Sequence, residues 1–168
     1  MEDQKKQFVK LIEQNKALIY KFCYMYANET ETPDDLFQEV VINLWKSFPD
    51  FRGESKIQTW MYRISLNTCI TFLRKSGKRP KTQALTDEQL EYSESGDLSP
   101  IRELYILINK LNAFEKAIIL LYLEDRSYDE IAQIVGITKS NVGVRIKRIK
   151  EKLTQMTNNQ KKEQYGNR

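Results

Sequence analysis

Histidine is absent from the 168 residues, and the chain has only two cysteines, six glycines and four prolines. Without an imidazole, His-based acid–base catalysis and the usual zinc ligand sets have no support. Cys23 and Cys69 are far apart in sequence, form no C-x-x-C pair and lie inside apolar helical patterns. They are expected to be reduced core thiols of a cytosolic protein. So few glycines and prolines argue against a many-turned β-sandwich. Long apolar runs are missing too. The longest, Ala117 to Leu123, is far short of the ~20 residues that cross a bilayer. The opening residues, MEDQKKQF, lack the apolar core of a signal peptide. The expectation is a cytoplasmic protein with no membrane insertion.

What is present points to helices. The apolar fraction is 40% and the charged fraction 30%, enough to build a core. Long periodic runs rich in Leu, Ile, Lys, Glu and Gln favour an all-α fold. The net charge is a modest +4, so its distribution matters more than its sum. Six bases and no acid lie between Arg63 and Lys81, and five acids and no base between Thr86 and Asp97. Between Thr138 and Lys152, six bases stand against Glu151 alone. Two basic blocks separated by an acidic stretch suggest two polyanion-facing surfaces.

A first helix is expected over roughly Asp3 to Ala27, on Phe8, Leu11, Ile12, Leu18, Ile19, Phe22 and Cys23. A second begins sharply: Thr32 caps, Pro33 suits the first helical position, and Asp34 and Asp35 complement the helix dipole. Leu36, Phe37, Val40, Val41, Leu44 and Trp45 are its apolar stripe, and Phe48-Pro49 ends it. Asp34, Asp35 and Glu39 are either ordinary N-terminal acids or a surface for a basic partner. After the DFRGE turn at Gly53 a third helix is expected from Ser55, as its cap, to Ser76-Gly77. Asn67 in its middle is a poor helix former, either simply tolerated or kept for hydrogen bonding. Lys81 to Leu98 reads as an acidic linker, with at most one helical turn at Asp87 to Tyr92. The second unit starts with a cap and a proline at Ser99-Pro100. Asn112 with Glu115 forms a capping box before an apolar helix.

The stretch from Ser127 to Leu153 carries the most specific pattern. Ser127 and Glu130 form another capping box, and Ile131, Ala132, Ile134 and Val135 face inward. Ala132 is small where two helices cross, Gly136 supplies the turn and Thr138 caps a second helix on Val142, Ile146, Ile149 and Leu153. Small residue, glycine four positions on and an apolar residue six further is helix-turn-helix spacing. The second helix is basic outside. Its candidate DNA-binding residues are Lys139, Ser140, Asn141, Val144, Arg145, Lys147, Arg148 and Lys150. Asn and Arg can read base edges and an apolar side chain the thymine methyl. Lys139, Arg145, Lys147 and Lys150 suit phosphates.

Taken together these residues resemble the sigma-70 family of bacterial RNA polymerase initiation factors, in its smallest, extracytoplasmic-function (ECF) form. DDLFQEVVINLWKSFPDF resembles the polymerase-binding part of region 2, and FRGESKIQTWMYRISLNTCITFLRK the part that reads and opens the −10 element. The stretch from Leu111 to Leu153 resembles region 4, which reads the −35 element. The resemblance spans about Phe8 to Leu153 and implies two small helical domains. Region 2 would occupy residues 1–80, the linker 81–98 and region 4 residues 99–157, with a frayed polar tail at 158–168.

The resemblance also implies roles. Asp34, Asp35, Phe37, Gln38 and Glu39 would dock on the polymerase β′ clamp helices. Arg52, Glu54, Ser55, Lys56 and Gln58 belong to the loop that captures a flipped −10 base. Trp60 and Asn67 match the family's TW…N spacing, and Arg63, Arg74, Lys75, Lys78 and Arg79 would hold the melting backbone. Partners implied are core RNA polymerase (clamp helices and β flap), promoter DNA and an anti-sigma factor. The chain departs from the family at Gly143 and Val144, where many relatives carry Arg or Lys and Ser. A stand-alone helix-turn-helix regulator is the rival expectation, but neither a dimer helix nor a ligand pocket is evident. An enzyme using Asp34, Asp35 or Glu39 lacks a second group facing them. No catalysis, cofactor or metal is expected.

Overall fold

The computed structural model describes residues 2–28, 30–77 and 99–165, and all regular structure among them is helical. The N-terminal unit contains α1 (Glu2–Tyr26), α2 (Pro33–Ser47), a 3-10 turn (Phe48–Asp50) and α3 (Ile57–Ser76). Phe22, Cys23, Leu36, Val40, Leu44, Met61, Leu66 and Cys69 form its interior. The start of α2 is as expected: Thr32 and Asp35 make a reciprocal capping box with Pro33 first. The start of α3 is not. The backbone is still extended at Lys56 (φ −57°, ψ 139°), so the helix begins at Ile57 and Ser55 caps nothing. Ser55 instead donates to the Lys56 carbonyl. Gly77, left-handed at φ 60°, ends α3.

The C-terminal unit contains α4 (Ser99–Ile108), α5 (Ala113–Leu123), α6 (Tyr128–Val135) and α7 (Lys139–Tyr165). Ser99 is the first helical residue of α4 rather than its cap. Asn112 with Glu115, and Ser127 with Glu130, close the two expected capping boxes. Gly136 turns the chain at φ 77°, and Val142, Ile146, Ile149 and Leu153 are buried as the spacing requires. The expected frayed tail from Asn158 is corrected, because α7 continues to Tyr165. Met156 packs on the core, and the Gln, Lys and Glu residues that follow are good helix formers. The expected linker, the helical turn expected at Asp87 to Tyr92, and the expected backbone contacts Lys78 and Arg79 lie outside the described residues.

The two units pack against each other. Lys116, near the start of α5, is fully buried among apolar residues. Its Nζ donates to the Met25 carbonyl at 2.9 Å and to Asn109 Oδ1 at 3.1 Å, and lies over the Tyr26 ring. The last turn of α1 contains no base of its own, so Lys116 supplies the positive charge its carbonyl end favours. The Tyr26 hydroxyl donates to the Ala113 carbonyl, and Lys21 pairs with Glu124. Arg126 stacks over Tyr62, its guanidinium carbon 5.3 Å from the ring centre. Helix α3 packs against α6.

Candidate nucleic-acid interface

The turn from Asp50 to Ser55 and the first turns of α3 enclose a pocket. Phe51 and Trp60, packed together with ring centres 5.1 Å apart, line it with Arg52, Glu54, Ser55 and Arg63. Trp60 is half-buried and braced from behind by Phe48. Aromatic rings with guanidinium groups beside them suit an unstacked base on a phosphate backbone. The sequence placed Phe51, Arg52, Glu54 and Ser55 in one loop and Trp60 and Arg63 on the helix after it, and the structure gathers them around one space. It also adds a residue the sequence did not suggest: Gln133 of α6 lines the same pocket. Beside it, Lys56 pairs with Glu130 at 3.6 Å.

The other −10 candidates lie elsewhere. Asn67 and Lys75 line a groove between α2 and α3, opposite Glu31, Asp35 and Glu39. Asn43 donates to Thr68 at 3.3 Å and ties the two helices together there. Gln58 and Arg74 are exposed and line neither space. The groove thus brings the candidate melting residue Asn67 beside two of the acids expected to meet the polymerase.

Those acids divide between two strips of α2. Asp35 belongs to the capping box, while Asp34 accepts from the Tyr20 hydroxyl at 3.0 Å. Burial first, and the hydrogen bond to Asp34 second, push the Tyr20 phenol up. Phe37 is half-buried against Tyr20, and Gln38 and Glu39 are exposed. The same helix exposes Ile42 and Trp45, at 45% and 41%. Trp45 was expected in the apolar stripe, but it meets Phe8 edge-on and leaves much of its ring to solvent.

On α7, Ser140, Asn141, Val144, Lys147 and Arg148 are exposed on its outer side. The Thr138 hydroxyl accepts from the Asn141 amide at 3.2 Å, capping the helix as expected. Lys139 pairs with Asp129 at 2.8 Å. Lys150 donates to the Tyr122 hydroxyl at 2.7 Å. Arg145 differs from its neighbours: its guanidinium lies over the Phe114 ring, 5.0 Å from the centre, and it is half-buried. Arg145 therefore braces α7 on α5, away from the exposed strip. Glu130 is held below the ordinary carboxylate range, first by the Ser127 amide it accepts from.

Lys116 is the buried group that periodicity did not single out, although a signal was present. Ala117 to Leu121 are apolar on all sides of the helix, and a helix apolar all round is buried, so the lysine that adjoins this run was a candidate for burial. Cys23 and Cys69 are free, fully buried and close enough for their thiols to hydrogen-bond. Burial first, and the neighbouring thiol second, push Cys69 well up, which makes it a poor nucleophile.

A helix-turn-helix with a basic outer strip, joined to a second helical unit, defines the class of a helical DNA-binding protein. Residues 11–79 match the family model for Sigma-70 region 2, and residues 101–153 that for Sigma-70, region 4. The chain belongs to the sigma-70 family of RNA polymerase sigma factors, in its ECF group. It is similar to the ECF RNA polymerase sigma-E factor of Haemophilus influenzae, 29% identical over 88% of this chain and 85% of that one. It is also similar to RNA polymerase sigma factor SigV of Bacillus subtilis, 29% identical over 83% and 84%. In fold it resembles the sigma factor RpoE of Bartonella quintana, solved with the anti-sigma factor NepR. That match has a TM-score of 0.70 and 20% identity, and covers 94% of this chain and 98% of that one. CnrH, solved with the cytosolic domain of CnrY, matches with a TM-score of 0.68 and 20% identity, over 92% and 89%. The protein is thus a transcription initiation factor that acts with core RNA polymerase on promoter DNA. No described helix is long and apolar enough to cross a membrane.

Proposed function

We propose that the two surfaces divide promoter recognition between them. The pocket of Phe51, Arg52, Glu54, Ser55, Trp60 and Arg63 takes a base flipped from the −10 element. Lys56 and Gln58 border the displaced strand, and Asn67, Arg74 and Lys75 hold its backbone further along α3. On α7, Ser140, Asn141 and Arg148 read base edges of the −35 element and Val144 meets a thymine methyl. Lys139, Lys147 and Lys150 hold phosphates. Arg145 acts through its packing on Phe114. Asp34, Asp35, Phe37, Gln38 and Glu39 meet the polymerase clamp helices, with Ile42 and Trp45 extending that surface, and region 4 meets the flap. The protein works in the cytoplasm, catalyses no reaction itself and is held by an anti-sigma partner until released.

The observation that carries this division is the pocket. A repressor that binds closed duplex has no use for a pocket lined by two aromatic rings and two arginines beside its helix-turn-helix. The test is holoenzyme on a promoter carrying a fluorescent base analogue at each −10 position. Trp60→Ala should abolish the rise in emission at one position while leaving binding to core polymerase intact. Asn141→Ala and Arg148→Ala should change −35 preference. An unchanged emission profile in the Trp60 variant would refute the pocket assignment.

A further inference from the structure

Gly143 lies early in α7, on the strip that continues through Lys147 and Lys150 at helical spacing. Its bare Cα is not open to solvent on every side. A Cβ built there would sit 3.4 Å from Cε2 of Tyr128, in ordinary contact. Tyr128 is the first residue of α6 and remains 37% exposed. Its ring leans on Tyr122, with centres 6.5 Å apart, and Lys150 sits over Tyr122 at 4.2 Å while donating to its hydroxyl. Two tyrosines therefore flank one strip of the recognition helix, Tyr128 beside Gly143 and Tyr122 beside Lys150. The exposed Lys147 lies between them.

We propose that Tyr128 is a DNA-backbone contact. Its hydroxyl donates to a phosphate oxygen of the strand held by Lys147 and Lys150, in the place a long side chain at position 143 would otherwise fill. The assignment rests on the −35 role proposed above for α7. In a helix-turn-helix the first helix crosses the backbone while the second enters the groove. Tyr128 opens that first helix, on the edge adjoining the second. The residue keeps 37% of its surface exposed, so its hydroxyl edge is open to a partner. The hydroxyl is neutral, so it adds affinity without releasing a counterion. It fixes the height and tilt of α7 in the groove and reads no base.

The test is binding of the full chain to a short random-sequence duplex across a salt series. Tyr128→Phe keeps the ring and its packing and removes only the hydroxyl. It should weaken binding about threefold to tenfold, with an unchanged salt slope and an unchanged melting temperature. Lys147→Ala should weaken binding and lower the slope by about one. Gly143→Lys should displace the ring and steepen the slope, and adding Tyr128→Phe to that variant should then have no effect. If Lys147→Ala weakens binding but Tyr128→Phe does not, the tyrosine contact is refuted and the role of α7 stands. If neither weakens binding, both are refuted. A Tyr128→Phe variant that loses melting temperature and affinity together would show a packing role instead.

Discussion

Lys116 sets a charge in the apolar face that joins the two units. Burial lowers its pKa from 10.5 to about 8. Because the folded pKa lies below the unfolded one, the unfolded chain holds the extra proton between those values, and this group's contribution to stability rises with pH through that window. Lys116→Met removes that slope. The stability of the native protein minus that of the variant should rise by on the order of 2 kcal/mol from about pH 7.5 to about pH 10, measured by urea denaturation. The buried tyrosines and Cys69 are shifted upward and oppose the trend at high pH, but they are present in both proteins and cancel in the difference. A difference flat with pH would mean the ammonium is not desolvated. Gly143 allows a second prediction at this scale. An alanine methyl fits against Tyr128, so Gly143→Ala should stabilise the protein by about 1 kcal/mol through helix propensity alone.

At the scale of single elements, helix starts were the most legible feature, because each is written in adjacent residues. Thr32-Pro33, Asn112 with Glu115, and Ser127 with Glu130 all cap as their spacing indicates. Ser55 looks like the same signal and is not, since the chain stays extended for one residue more before α3 begins. Two serines should therefore behave differently. Ser127→Ala should cost about 1 kcal/mol, whereas Ser55→Ala should stay within about 0.5 kcal/mol in thermal denaturation. The candidate site was legible where it is local, in the loop from Phe51 to Trp60 and the outer face of α7. Gln133 in the pocket, Arg145 on Phe114 and Tyr128 on Gly143 were not legible. Each depends on two helices meeting, and a pattern along one helix contains no record of its neighbour.

For the whole molecule, the packing sets α6 of the helix-turn-helix against the base pocket and leaves the outer strip of α7 exposed. Gln133 of α6 lines the base pocket and Glu130 pairs with Lys56 at its edge. If the pocket takes a base as proposed, α6 has to move aside for the strand that carries it. Lys21 with Glu124, and Arg126 over Tyr62, hold them together away from the proposed DNA contacts. The double variant Lys21→Ala, Arg126→Ala should bind a single-stranded −10 oligonucleotide severalfold more tightly than the native chain. It should also show a larger radius of gyration by solution scattering. Equal affinity and equal size would mean that these contacts do not restrain opening.

The central claim is that one chain directs polymerase through both surfaces, and the most direct measurement is run-off transcription from a promoter library with purified core polymerase. Adding the chain should produce discrete transcripts that share a −10 and a −35 sequence. Trp60→Ala should reduce all of them, while Arg148→Ala should shift the −35 sequence selected. Tight promoter binding by the chain alone, with no co-purification with core and no discrete transcripts, would contradict the account.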